Sequence, residues 1–210
     1  MTNITITLKA MQDSMPRSLS RNDIANFTLG DIQKEVNEIC AWFDKIWPGD
    51  KSMVAKHIPV SWTQKVKNAV GTTHRQRING IYRYSISFGQ NFMKTTTVQG
   101  FHSTILHECL HCIETNDQDG WSHTGLWKER AAIISRVTPY QIHRIVDPHE
   151  ITPEYQKIMQ ASYKYKISCE CGWACYRQRV TKSLKEIARG STQYSCPICG
   201  SNKLTVRSLM

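Results

Sequence analysis

No run of apolar residues in this 210-residue chain approaches the eighteen or so needed to cross a bilayer as a helix. The N-terminus lacks the charged-then-apolar segment with a cleavage site that marks a secreted precursor. Together these absences point to a cytoplasmic protein with no membrane partner. Its eight cysteines are then expected to be reduced or metal-bound rather than disulfide-bonded. Internal repeats and low-complexity tracts are missing as well. Length and a hydrophobic content of 40% suit one domain of ordinary size with a small appendage.

What the chain does contain is His107-Glu108-Cys109-Leu110-His111. HExxH on a helix is a zinc-site signature that carries its own catalytic carboxylate. At about 100° per residue, the two histidines stand roughly 40° apart on one helical face, so both imidazoles can reach one Zn²⁺. Glu108 projects beside them. Ile105, Leu106, Cys109, Leu110 and Ile113 fall on the other side, so the helix can bury one face and turn the other to a cleft.

Two ligands are too few for a catalytic zinc, which takes three plus a water. The compact metzincin arrangement is excluded, because Cys112 to Asp117 offers neither the glycine nor the histidine it needs. Two residues downstream remain. His123 follows His111 after eleven intervening residues and Glu129 after seventeen. Glu129 would resemble the thermolysin-like arrangement. His123 lies between the turn-rich Asn116–Ser122 and the helical pattern Leu126, Trp127, Ala131, Ile134, where a chain reversal would bring it back over the first helix.

HECLH followed by Asp119-Gly120-Trp121-Ser122-His123-Thr124-Gly125-Leu126-Trp127-Lys128 resembles the core of the SprT-like (Spartan-like) zinc metalloproteases. In that family a histidine in a Gly/Ser-His-Gly context, followed by an aromatic residue, is the third zinc ligand, and the match falls on His123. Gly125 stands one residue later than the family's glycine. The resemblance extends to Cys169-Glu170-Cys171-Gly172 and Cys196-Pro197-Ile198-Cys199-Gly200, with 24 residues between Cys171 and Cys196, which look like the small zinc ribbon of SprT-like chains. Paired thiolates on two tight turns supply four soft ligands to a closed tetrahedral Zn²⁺, which substitutes for a core too small to fold alone. Cys169, Cys171, Cys196 and Cys199 are the expected ligands. Cys175 either packs or substitutes for one of them. Cys40 and Cys109 read as small buried hydrophobes, with Cys112 flanking Cys109. The expected cofactors are therefore two Zn²⁺, one catalytic and one structural.

The net charge of +10 is unevenly spread. From Ile151 onward ten Lys and Arg stand against three Glu, a net +7. Interleaved with them are Tyr163, Tyr165, Trp173, Tyr176 and Tyr194. Cations for phosphates and rings for unstacked bases describe a nucleic-acid surface, and DNA, single-stranded or duplex, is the expected partner.

Along the chain, residues 1–26 read as loosely organised, with Ile4, Ile6 and Leu8 as a possible short strand. Asp31–Trp47 has helical spacing and ends at Pro48-Gly49. Ile58–Trp62 reads as a short strand, Gly71–Gly80 as a basic loop near the cleft, and Ile81–Phe88 as the clearest strand. The metal helix then starts near Thr97–Gln99. This order suits an α+β, minimal zincin-like core. The expected organisation is a loose segment over 1–26, a SprT-like metalloprotease domain over 27–150, a connector over 151–163 and a zinc ribbon over 164–210. In such a core, strand Tyr82–Phe88 is expected to offer an open edge to an extended peptide. Glu108 would act as general base toward a zinc-bound water. The resemblance implies a metalloendopeptidase for proteins bound or crosslinked to DNA. Two alternatives are a DNA-binding zinc protein whose HExxH site is inactive or regulatory, and a thermolysin-like peptidase using Glu129.

Overall fold

A computed structural model describes residues 7–50, 52–54, 57–63, 70–113, 123–144 and 147–209. It is a mixed α+β structure in two compact units, Met1–Pro153 and Glu154–Met210. None of the described helices is long and apolar enough to cross a membrane.

The first unit begins with α1 (Leu8–Asp13) and two 3₁₀ turns, Arg17–Ser20 and Ile24–Asn26. These elements bury Met11, Leu19 and Ile24 in the main core, so residues 8–26 are not the loose segment their sequence suggested. Their turns are too short to display a period, which hides the buried positions from pattern analysis. The expected strand through Ile4 and Ile6 lies outside the described residues, and Leu8 opens α1 instead. Helix α2 (Leu29–Ile46) starts on a reciprocal cap: Thr28 Oγ1 accepts from the Asp31 backbone N–H, and Asp31 accepts from that of Thr28. Its buried stripe of Ile32, Val36, Ile39, Phe43 and Ile46 follows the spacing expected of a core helix.

Strands β1 (Val60–Thr63), β2 (Gly71–Ile78) and β3 (Ile81–Gly89) form a sheet of order β1-β3-β2, with β3 parallel to β1 and antiparallel to β2. Two expectations change here. Gly71–Gly80 is not a loop, because its first eight residues form β2. Nor does Tyr82–Phe88 offer a free edge, since β3 is the central strand with a ladder on each side. Period-two apolar alternation marks burial, and a central strand is the most buried. Polar, basic β2 is an edge strand among the described residues.

After a short helix, α3 (Phe92–Thr95), comes α4 (Val98–His111), capped by Thr97. Helix α4 lies against α2, β2 and α5 (Gly125–Val137), and α2 lies against β1. Phe88, Phe92 and Phe101 stack at 4.7 and 5.0 Å, with Phe27 edge-on to Phe101. Covered on several sides, α4 is buried almost all round rather than on one face, and its polar residues need partners inside the protein. His102 shows how one is met. Its Nε2–H donates to the Arg21 carbonyl (2.8 Å), and Nδ1 shares a proton with Glu35 Oε1 at 2.7 Å, tying α4 to α2 and to the N-terminal segment. Burial raises the Glu35 pKa, and the bond to His102 opposes that rise. Losing one member of so deeply buried a pair typically costs about 3–5 kcal/mol.

The second unit opens with α6 (Pro153–Ser162), so most of the expected connector is helical. Strands β4 (Tyr165–Cys169), β5 (Ala174–Arg177) and β6 (Leu204–Ser208) form an antiparallel sheet of order β5-β4-β6. Helix α7 (Lys182–Ala188) lies against β6 and buries Leu184 and Ile187.

Candidate metal centres

His107 and His111 stand one turn apart at the C-terminal end of α4, and His123 stands just before α5. Gly125, the first residue of α5, takes φ +53° where the chain turns into that helix. The Nε2 atoms of the three histidines form a triangle with edges of 3.1 Å (His107–His111), 3.2 Å (His111–His123) and 3.0 Å (His107–His123). Nitrogens on a tetrahedral Zn²⁺, at bond lengths of about 2.0–2.1 Å, lie about 3.3–3.4 Å apart. The triangle is therefore within a few tenths of an ångström of a ligand set. Glu129, the other downstream residue, is exposed on α5 and does not belong to this group.

The rings are held in the state a metal needs. His107 Nδ1–H donates to the His143 carbonyl (2.8 Å), which leaves the Nε2 lone pair facing the cluster. Burial, and then the charges of His111 and His123, lower the His107 pKa to about 3. Burial likewise lowers that of His123, helped by Arg144. Unprotonated nitrogens at this separation would turn lone pairs on one another, and a shared cation would relieve that repulsion. Trp127 braces the group, with its ring centroid 4.9, 5.4 and 4.6 Å from those of His107, His111 and His123.

Glu108 is buried beside these histidines, on the side facing β2. Thr73 Oγ1 lies 2.7 Å from its Oε2 and 2.9 Å from its backbone carbonyl. Burial pushes the Glu108 carboxyl up to about 7, against the lowering effect of the Thr73 bonds. A dication bound next to it would draw that value down again. Strand β2 approaches so closely that a Cβ on Gly71 would stand 2.9 Å from Glu108 Cγ and 3.1 Å from Oε1. Thr73, Gly71 and the bracing role of Trp127 were invisible in the sequence. Thr73 lies 35 residues from Glu108, and no spacing rule connects a strand to the helix it packs on.

Histidines outside the motif have other duties. The His74 ring bonds Ser87 Oγ, His102 sits in the buried pair, and His143 contributes its carbonyl. Cys40, Cys109 and Cys112 are buried and not disulfide-bonded, as expected of small hydrophobes, and the Cys112 thiol donates to the Glu108 carbonyl.

In the second unit Cys169, Cys171, Cys196 and Cys199 converge. The Cys169–Cys199 and Cys171–Cys196 sulfurs lie 3.6 and 3.5 Å apart. Those separations are far longer than a disulfide's and close to the roughly 3.8 Å between sulfurs on a tetrahedral Zn²⁺. Burial works against ionisation of Cys196, but the backbone N–H groups of Cys199 and Ile198 outweigh it and bring the thiol down to about 7. Cys171 goes the other way, to about 12: the Trp173 backbone N–H favours its thiolate, yet burial and the proton shared with Cys196 prevail. Four thiolates in this space need a cation. Cys175 is outside the group and pairs with Ile167 across β4 and β5. The protein thus holds a three-histidine group and a four-cysteine group, each able to bind a metal ion.

No family model matches the chain, and no curated protein matches it.

Proposed function

We propose that the chain is a zinc metallopeptidase of SprT-like type, a minimal zincin core followed by a zinc ribbon, that cleaves proteins bound or crosslinked to DNA. One observation carries the reading: three imidazole Nε2 atoms converge at 3.0–3.2 Å, with the buried Glu108 carboxyl on the helix that carries His107 and His111. A Zn²⁺ held by His107, His111 and His123 would supply Lewis acidity and a water acidic enough to ionise near neutral pH. Glu108 would serve as the general base beside such a metal, accepting a proton from water and returning it to the leaving amine. Thr73 fixes one carboxylate oxygen, and the close approach of Gly71 confines the other. Edge strand β2 can take an extended peptide as an added strand, and its Thr73 touches the general base. The substrate backbone is thereby brought to the carboxylate.

DNA as partner draws support from the second unit. On one face of its sheet, Lys166 stands in register with Tyr176 and Arg207, and Tyr163 stacks on Tyr176 at 5.2 Å. The Tyr194 hydroxyl donates to Glu186.

Cleavage of a DNA-binding protein is the direct test, measured with and without single-stranded and duplex DNA. Cleavage that rises with DNA is expected. A protein that holds two metal ions yet cleaves nothing would be a DNA-binding zinc protein instead, and DNA-independent cleavage would remove the DNA-bound substrate class.

Gly71→Ala gives a sharper test of Glu108 positioning. The added methyl must displace Glu108 or the strand, and misplacement of a reacting group by about 1 Å can cost roughly 10²-fold in rate. Metal content should stay at the native value while cleavage falls by about 10- to 100-fold. Native cleavage in this variant would show that the close approach of β2 has no part in the reaction.

A further inference from the structure

From Lys51 to His107 the chain carries eight Lys and Arg residues and no Asp or Glu. Three of these cations, Arg75, Arg77 and Arg83, lie on the β2–β3 hairpin, closed by an Asn79-Gly80 turn in which both residues have positive φ. The register alternates its side chains between two faces. Arg75 and Arg77, opposite Tyr84 and Tyr82, share one face, and their guanidiniums lie 4.5 and 5.6 Å from the centre of the Tyr82 ring. Arg83, opposite Gln76, belongs to the other face. At the tip, Ile78 and Ile81 are paired across the turn and are 44% and 63% exposed. Large apolar side chains at a ribbon tip, with cations behind them on both faces, are unexplained by the core or by the metal centre.

We propose that this hairpin is a nucleic-acid element in its own right. It enters a duplex groove with Arg75 and Arg77 toward one phosphate wall, Arg83 toward the other, and Ile78 and Ile81 against the base edges. A two-stranded ribbon has the width of the B-form major groove, and the methyl groups and edges on its floor accept apolar contacts. Cations on both faces suit two walls of phosphate, whereas an acidic protein surface would meet one face only. The Tyr82 ring holds its two guanidiniums by cation–π attraction, so less side-chain freedom is lost on binding. This assignment depends neither on peptidase activity nor on the cysteine-rich unit.

The test uses the full chain, with affinity for a fluorescent duplex oligonucleotide measured across a salt series. Replacing Arg75, Arg77 and Arg83 together by Gln should flatten the slope of log affinity against log salt by about 2–3, at about 0.9 for each phosphate no longer neutralised, and lower affinity at least about tenfold. The corresponding Lys triple should retain the slope. Ile78→Ser with Ile81→Ser should keep the slope and weaken binding several-fold. A control removing the same charge from Lys9, Lys45 and Lys128 should change the slope by less than about one. Metal content and the thermal midpoint report that each variant is folded. An equal drop in the control and the Gln triple would overturn the proposal, because net charge alone would then account for binding. So would a Gln triple that keeps its duplex slope while its affinity for single strands or for a polyglutamate peptide falls, and unchanged affinity in the Ile variant would remove the tip from the interface.

Discussion

Glu108→Gln is expected to retain metal at both groups, to fold as the native chain does, and to lose peptide cleavage by the roughly 10²–10⁴-fold that general-base removal costs. Glutamine keeps the size of the side chain and can still bond Thr73, but it cannot accept the water's proton. Burial is no obstacle to the substitution, since a neutral amide suits a site that already pushes the carboxyl up to about 7. The informative companion is His123→Ala. It removes one corner of the nitrogen triangle, so elemental analysis should show the histidine-bound metal gone and the cysteine-bound metal kept, with cleavage abolished. Glu129→Ala should do neither, because Glu129 is exposed and apart from the group. Full activity in Glu108→Gln would end the peptidase reading. Metal loss on Glu129→Ala, with none on His123→Ala, would move the chain to the thermolysin-like arrangement.

Chelation should unfold the second unit and spare the first. Glu154–Met210 is a unit of fewer than sixty residues in which, among the described residues, the buried apolar side chains are Ile167, Leu184, Ile187 and two of the cysteines. A core of that size rarely supplies more than about 3–5 kcal/mol, whereas structural Zn²⁺ contributes about 10–16 kcal/mol in small zinc domains. Hydrogen exchange after metal removal should therefore show protection disappearing across β4, β5 and β6 and persisting in α2, β3 and α4, whose core stands without a metal. The single substitution Cys196→Ser should have the same local effect. A metal-free protein in which β4–β6 remain protected would make the four thiols a reduced cluster rather than a structural centre.

The HExxH pair was legible because α-helical geometry is local: four residues of separation place two side chains on one face wherever the helix lies. The long helices were legible for the same reason, as was the strand at Ile81–Gly89, whose alternation records burial. Paired cysteines on tight turns are equally local, and all four converge. His123 was one of two open candidates from spacing; the turn-rich segment before it allowed a reversal over the first helix, and the resemblance favoured it. Its convergence with the other two rings is a property of the packed α4–α5 arrangement.

Sequence alone therefore determined the chemistry on offer: two histidines and a carboxylate on one helix, four thiols in two pairs, and an excess of cations. Tertiary structure decided which strand meets that chemistry. The strand with the clearest pattern became the central one and lost its edge, while the polar strand, which carries no apolar period, became the edge that touches Glu108 through Thr73 and Gly71. It also decided that residues 8–26 complete the core and that His102 is a buried tie rather than a catalytic group. The physical reason is the same in each case. Periodicity reports how a segment relates to its own axis, whereas contacts between segments tens of residues apart depend on how the layers pack, and no local pattern encodes that.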